Sequence, residues 1–244
     1  MKYGVLGDIH GNLSALTVAV QELQRRGATS FLSVGDVVGY GAAPRECIEL
    51  LRSLGALVVL GNHDSAAIDQ LDITYFNPYA REAVLWTRGQ LLEQDRDWIA
   101  KLPLVRCLEH CTVAHGTLHR PEQFDYMLGL GDADPSLELL TTPVCFLGHS
   151  HVPVTVLRPR EDPSRTAYTP DRVVDLKESE RALVNVGSVG QPRDEDPRAA
   201  FALFDSDTGL VEILRAEYDI DCEASRIRRA GLPGMLADRL YLGI

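Results

Sequence analysis

Short, unbroken apolar segments separated by a helical pattern are the feature that most constrains this chain. Tyr3-Gly4-Val5-Leu6-Gly7 has the continuous apolar character of a strand buried on both faces. In the segment from Asn12 to Gly27, Leu13, Leu16, Val20 and Leu23 share one helical face. Asn12 suits the N-cap, Arg25 and Arg26 suit the negative C-terminal end, and Gly27 suits the left-handed stop. A second apolar strand, Phe31 to Val34, follows. Strand, helix and strand within about 35 residues make a βαβ unit, which requires parallel strands and a right-handed crossover. The pattern then repeats. Pro44 can open a helix running to Leu54 with Ile48 and Leu51 inward, and Leu57 to Leu60 is a third buried strand.

Beyond residue 60 the pattern is looser. Ser65 to Lys101 is mostly helical in character, with a break near Asn77-Pro78. Val105–Leu108 and Cys111–Ala114 are predicted to form a hairpin. Further strands are predicted at Val144–Leu147, Val154–Leu157, Leu183–Val186, Phe201–Phe204 and Leu210–Arg215. Residues 159–181 are dense in Pro, Arg, Asp and Glu and form a long polar excursion, either a lid or a passive loop. The tail from about residue 220 is helical, interrupted at Gly231–Gly234. The expectation is one α/β domain spanning all 244 residues.

Chemistry collects where the apolar strands end. Asp8 and His10 follow the first strand and Asp36 the second; Asn62, His63 and Asp64 follow the third. His115 follows Thr112-Val113-Ala114, and His149 and His151 follow Cys145-Phe146-Leu147-Gly148. Parallel strands set their C-terminal ends along one edge, where open α/β folds bind ligands. Each string alone could be a helix cap or a turn; together they gather oxygen and imidazole donors on one rim. With no thiolate among them, these donors suit Mn²⁺, Fe, Zn²⁺, Co²⁺ or Ni²⁺.

These motifs resemble the calcineurin-like metallophosphoesterase superfamily. They are Gly7-Asp8-Ile9-His10-Gly11-Asn12, Gly35-Asp36-Val37-Val38-Gly39-Tyr40-Gly41, Gly61-Asn62-His63-Asp64, Ala114-His115-Gly116 and Gly148-His149-Ser150-His151. The resemblance covers most of residues 3–151, reappears at Asn185-Val-Gly-Ser-Val-Gly-Gln-Pro-Arg193, and is strongest to the small prokaryotic phosphodiesterase-like branch. It implies a four-layer α/β/β/α sandwich of two mixed sheets flanked by helices. It also implies a dinuclear centre of two divalent transition-metal ions, manganese being favoured physiologically. Asp8, His10 and His151 would hold one ion, Asn62, His115 and His149 the other, and Asp36 would bridge them. His63 would be the general acid, oriented by Asp64.

The activity implied is hydrolysis of a small phosphate ester by in-line attack of a metal-bridging hydroxide, with phosphodiesters slightly favoured. The alternatives are a Ser/Thr-type protein phosphatase or phosphomonoesterase and, in another class, a non-catalytic metal-binding scaffold. A scaffold would be expected to lose ligands or the acid histidine, and this chain keeps them all. Protein phosphatases of the superfamily usually carry an arginine after the second motif and another before Asn-His; here Tyr40 and Leu60-Gly61 stand instead. Arg193, in its Gly-rich loop, is the candidate replacement, and Tyr40, His119 and Arg120 are further candidates for lining the pocket.

The net charge of −11 repels nucleic acid and acidic membranes at long range, and phosphate as well. Bound cations are one way to supply the local positive charge a phosphate substrate needs. No apolar run approaches the roughly 20 residues of a membrane span. Five cysteines without a C-x-x-C pair, and an N-terminus that runs directly into a strand, fit a cytoplasmic protein. A homo-oligomer is compatible with the sequence.

Overall fold

A computed structural model describes residues 1–244. The chain opens as β1 (Lys2–Leu6), α1 (Leu13–Arg25) and β2 (Ser30–Ser33), the predicted unit. Asn12 caps α1 by accepting the Ala15 N–H at 3.0 Å, and its own amide donates to the Gly190 carbonyl at 3.0 Å. α2 (Pro44–Ser53) starts on its proline. β3 is shorter than predicted, Leu57–Val58, because the Leu60 N–H leaves the ladder and donates to the Pro103 carbonyl at 2.8 Å.

The long helical stretch resolves into α3 (Asn62–Ala67), α4 (Pro78–Gln90) and α5 (Glu93–Ile99), with Asn77 capping α4. β4 (Val105–Cys107) and β5 (Thr112–Ala114) form the predicted hairpin. α6 (Leu130–Leu139) was not predicted: Gly131 and Pro135 lie inside it and hide its helical period. Next come β6 (Val144–Leu147), β7 (Val154–Pro159), β8 (Ala167–Thr169), β9 (Val173–Asp175), β10 (Ser179–Asn185), β11 (Ala199–Asp205) and β12 (Leu210–Ala216). The tail is α7 (Ile220–Arg229) and α8 (Gly234–Leu242).

Two six-stranded mixed sheets result, ordered β3-β2-β1-β11-β12-β9 and β4-β5-β6-β10-β7-β8. β1, β2 and β3 are parallel in the first; β5, β6 and β10 are parallel in the second. Alternation along the strands sets the layers. Tyr3, Val5, Phe146, Val184 and Phe204 fill the space between the sheets. Leu6, Phe201 and Leu203 face the other way, against Leu16, Leu23, Ile48 and Leu51 of α1 and α2. On the far side, Cys145, Leu147 and Leu183 pack on Ala133 and Leu137 of α6. The order is helix, sheet, sheet, helix.

The polar excursion is more ordered than a loop. β8 pairs with β7 in the second sheet, and β9 pairs with β12 in the first, so the excursion crosses from one sheet to the other. In the helical tail, Ile227, Leu236 and Leu240 bury against Tyr40, Ala80 and Ala83. No helix is long and apolar enough to cross a membrane, and all five cysteines are free thiols.

Candidate metal centre

The chain must turn sharply at each strand end to bring donors to one point, and its backbone shows the strain. Asp8, His10, Asp36, Tyr40, His149 and His151 all have positive φ, between 44° and 69°. Such conformations are uncommon for residues with a side chain and collect at functional sites. The turns are braced by the backbone. The His10 N–H donates to the Asp36 carbonyl at 2.9 Å, and the Ser188 hydroxyl to the Asp8 carbonyl at 2.7 Å. Ser188 belongs to the Asn185–Arg193 loop, which therefore lies directly behind Asp8.

Two donor groups converge. Asp8, His10 and His151 form one, and Asp36, His115 and His149 the other; within each group the donor atoms lie within 4.8 Å of one another. The imidazole Nε2 atoms of His10 and His151 are 3.1 Å apart. His115 Nε2 lies 3.1 Å from His149 Nδ1 and 3.0 Å from the Asn62 amide oxygen. Asp36 stands between the groups: its Oδ2 is 3.6 Å from His10 Nε2 and 3.4 Å from His115 Nε2.

The far side of each ring fixes what it presents inward. His10 Nδ1 donates to the Val38 carbonyl at 3.1 Å, His115 Nδ1 to the Val34 carbonyl at 2.8 Å, and His151 Nδ1 to the Gln191 carbonyl at 2.5 Å. A carbonyl can only accept, so each of these rings, when neutral, turns its Nε2 lone pair toward the centre. Two lone pairs 3.1 Å apart repel unless a cation or a proton lies between them. Two nitrogens bound at right angles, each about 2.1 Å from one ion, sit about 3.0 Å apart. The donor set therefore fits metal ions.

Electrostatics agree. Asp8, Asp36 and Asp64 are buried, and no lysine or arginine pairs with them. Burial pushes Asp8 and Asp64 up to about 7. Burial also opposes ionisation of Asp36, but His115, His63 and His10 together outweigh it and hold Asp36 well below the usual carboxylate range. Burial holds His10 and His151 well below the usual imidazole range and His149 down at about 3. Burial opposes charge on His115 as well, but Asp36 and Asp8 together raise it to about 9, so without metal a protonated His115 is what faces these buried carboxylates.

His63 stands beside the donors. Its ring packs on His10, Tyr40 and Phe76 at centroid distances of 4.9, 4.5 and 5.2 Å, and burial lowers it to about 4. Its buried Nδ1 has no hydrogen-bond partner. The expected orienting contact from Asp64 is absent. The Asp64 carboxylate accepts the Val38 N–H at 3.1 Å and the Gly61 N–H at 3.2 Å, so it ties together two loops that carry candidate ligands and leaves the imidazole alone.

The predicted pocket residues divide. Tyr40 lines a cavity of about 510 Å³ together with Asn62, His63, Phe76, Tyr126 and His149. The Arg193 guanidinium lies 5.8 Å from the Tyr40 ring centre and donates to Gln191 Oε1 at 3.1 Å. His119 and Arg120 do not line this cavity, and Arg120 is exposed and paired with Asp125 at 3.2 Å. Sequence reasoning missed Phe76, Phe124 and Tyr126. Tyr126 stacks on His149 with ring centroids 3.9 Å apart and planes within 20°. It lies in an irregular segment with no periodicity to mark it.

Two mixed sheets between helices, with two carboxylate–imidazole groups sharing one aspartate at the strand ends, define the metallophosphoesterase class. The chain belongs to the calcineurin-like phosphoesterase family, whose sequence profile it matches over residues 1–178. It is accordingly a metal-dependent phosphoester hydrolase. An uncharacterized protein of Methanocaldococcus jannaschii is 34% identical over 98% of this chain and 97% of its own length. The crystal structure of a metallophosphoesterase from Sphaerobacter thermophilus superposes with a TM-score of 0.88 at 38% identity, covering 100% of this chain and 99% of that one. A hypothetical protein from Pyrococcus horikoshii shares the fold, with a TM-score of 0.80 at 22% identity over 100% and 98% of the two chains.

Proposed function

We propose that this chain holds two divalent transition-metal ions and hydrolyses small phosphodiesters. The observation that carries the reading is the convergence of two donor groups on the shared Asp36 Oδ2. Asp8, His10 and His151 would hold one ion, His115, His149 and Asn62 the other, and Asp36 both. Hard and borderline donors without thiolate support manganese as the working metal. When bound, such ions supply Lewis acidity toward the phosphoryl oxygens and an acidified water as the nucleophile for in-line displacement.

The chain's own residues do the rest. His63 is the proton donor to the departing alkoxide, since it borders the cavity within the same aromatic wall as Tyr40 and Phe76. An anionic substrate is the counter-charge that favours its imidazolium form. Arg193 offers its guanidinium from the side of Tyr40 to a phosphoryl oxygen. With Tyr40 and Leu60 where the superfamily's protein phosphatases carry arginine, the positive side chains near the centre are few. That supports a singly charged diester over a doubly charged phosphorylated protein.

The test is metal-stripped protein reloaded with Mn²⁺ and assayed on bis-p-nitrophenyl phosphate and p-nitrophenyl phosphate. The diester should have the higher kcat/KM. His63→Ala should lower kcat by about 10²–10⁴ with close to two metals still bound, measured by elemental analysis. Loss of metal from that variant would make His63 a structural part of the centre instead. Full metal loading with no hydrolysis would point to the scaffold reading.

A further inference from the structure

A second cavity, also about 510 Å³, opens beside the metal centre and has a different chemistry. Its walls include Tyr126, Leu128, Leu130, Val152, Val154 and Tyr168, with Ser150 a rare polar contribution. Leu128 is 80% exposed and Tyr168 67%, so large apolar surface faces water here. Soluble chains seldom leave such a concave patch without a use.

The cleft adjoins the catalytic cavity, since Tyr126 lines both. One face of that ring lies against His149, and Ser150 sits between the candidate ligands His149 and His151. Tyr126 and Ser150 therefore set the cleft next to the donor groups, on the side of His149. His63, the proposed acid, packs on Tyr40 and Phe76, and none of the three lines the cleft. The departing group goes toward His63, which leaves the cleft to the other ester group.

We propose that this cleft binds the organic group retained on phosphorus, and that this group is a flat, weakly polar ring such as an aryl group or a nucleobase. The inference rests on the diesterase reading and narrows it. A diester has a second substituent that must lie somewhere, and the chain provides an apolar trough for it with a tyrosine at its inner end. A monoester would leave the trough empty.

Manganese-loaded protein assayed on methyl, phenyl and 1-naphthyl esters of p-nitrophenyl phosphate tests it, because the leaving group stays constant while the retained group grows. The expected result is a rise in kcat/KM of roughly tenfold or more from methyl to naphthyl, carried mainly by KM. Leu128→Asp and Val152→Asp should each flatten the series. A flat series in the wild-type protein, or an intact one in both variants, overturns the proposal. A concentration-dependent dimer, seen by analytical ultracentrifugation and abolished by Leu128→Asp, together with a flat series, would assign the cleft to a second copy of the chain. Should the enzyme cleave p-nitrophenyl phosphate but none of the diesters, the diesterase reading itself fails. Affinities of the loaded enzyme for naphthyl and methyl phosphonates then decide the cleft separately: equal affinities overturn it, and at least tenfold tighter naphthyl binding supports it.

Discussion

Gly39 shows how closely single residues are specified around His63. Its φ is +92°, and a methyl group added there would meet His63 Nδ1 at 2.6 Å. Gly39→Ala should displace the imidazole and strain the backbone at once, costing about 1–3 kcal/mol of stability. The expected phenotype is a loss of kcat with metal content retained, read by kinetics alongside elemental analysis. Gly148 makes room in the same way for a candidate ligand, since a Cβ there would collide with Asp8 Oδ2. The convergence of these candidate donors was legible in the sequence, because each follows an apolar strand and carries an oxygen or imidazole donor. What fixes their orientation was not. The carbonyls of Val34, Val38 and Gln191 set the ring tautomers, and a backbone carbonyl leaves no mark in composition. Asp64 was legible as part of the Gly-Asn-His-Asp string, but its partners turned out to be two amides rather than its neighbour's ring.

At the level of elements, α1 is held at its start by one side chain with two duties. Asn12 accepts from Ala15 and donates to Gly190 of the loop behind Asp8. Asn12→Ala should cost about 1–2 kcal/mol, seen as a lower urea midpoint with an unchanged slope. Asn12→Asp keeps the cap and loses the donor, so it should recover part of that loss. Apolar runs with clear turn residues, such as β1, β6 and α1, appear within a residue or two of their predicted bounds. β3 was overextended, because a loop carbonyl from Pro103 outcompetes the ladder for Leu60, a choice made in three dimensions. The excursion at residues 159–181 hid β8 and β9, since short edge strands with exposed Tyr168 and Val173 have no apolar period to detect.

For the whole molecule, the candidate metal centre gathers buried titratable groups from the strand ends of both sheets. Removing the ions with a chelator should lower Tm, and Mn²⁺ should restore it in proportion to the logarithm of its concentration. The stripped protein should also respond to pH in a defined direction. Asp8 and Asp64, raised by burial to about 7, and His115, which Asp36 outweighs burial to raise to about 9, contribute stability at low pH that is lost as pH rises through those values. His63 and His149, lowered by burial to about 4 and about 3, act oppositely, and only below the usual imidazole value of 6.5. Stripped protein should therefore lose stability between about pH 6.5 and pH 9, with a shallower slope once metal is restored. Thermal melts of both forms across that range check it, and parallel curves would contradict the placement of these charges.

The strand order of the first sheet has a further consequence for how the molecule is made. β1 pairs with β2 on one side, but its other neighbour, β11, begins only at Ala199. A ribosome releases the Asp8 turn long before it releases the strand and the Ser188 loop that secure it. Until then the emerging chain carries β1 with an open, apolar edge, the kind of surface that pairs with the wrong partner. The candidate ligands are therefore drawn into place late in synthesis, and a chain cut short before residue 199 should aggregate rather than yield a weaker enzyme.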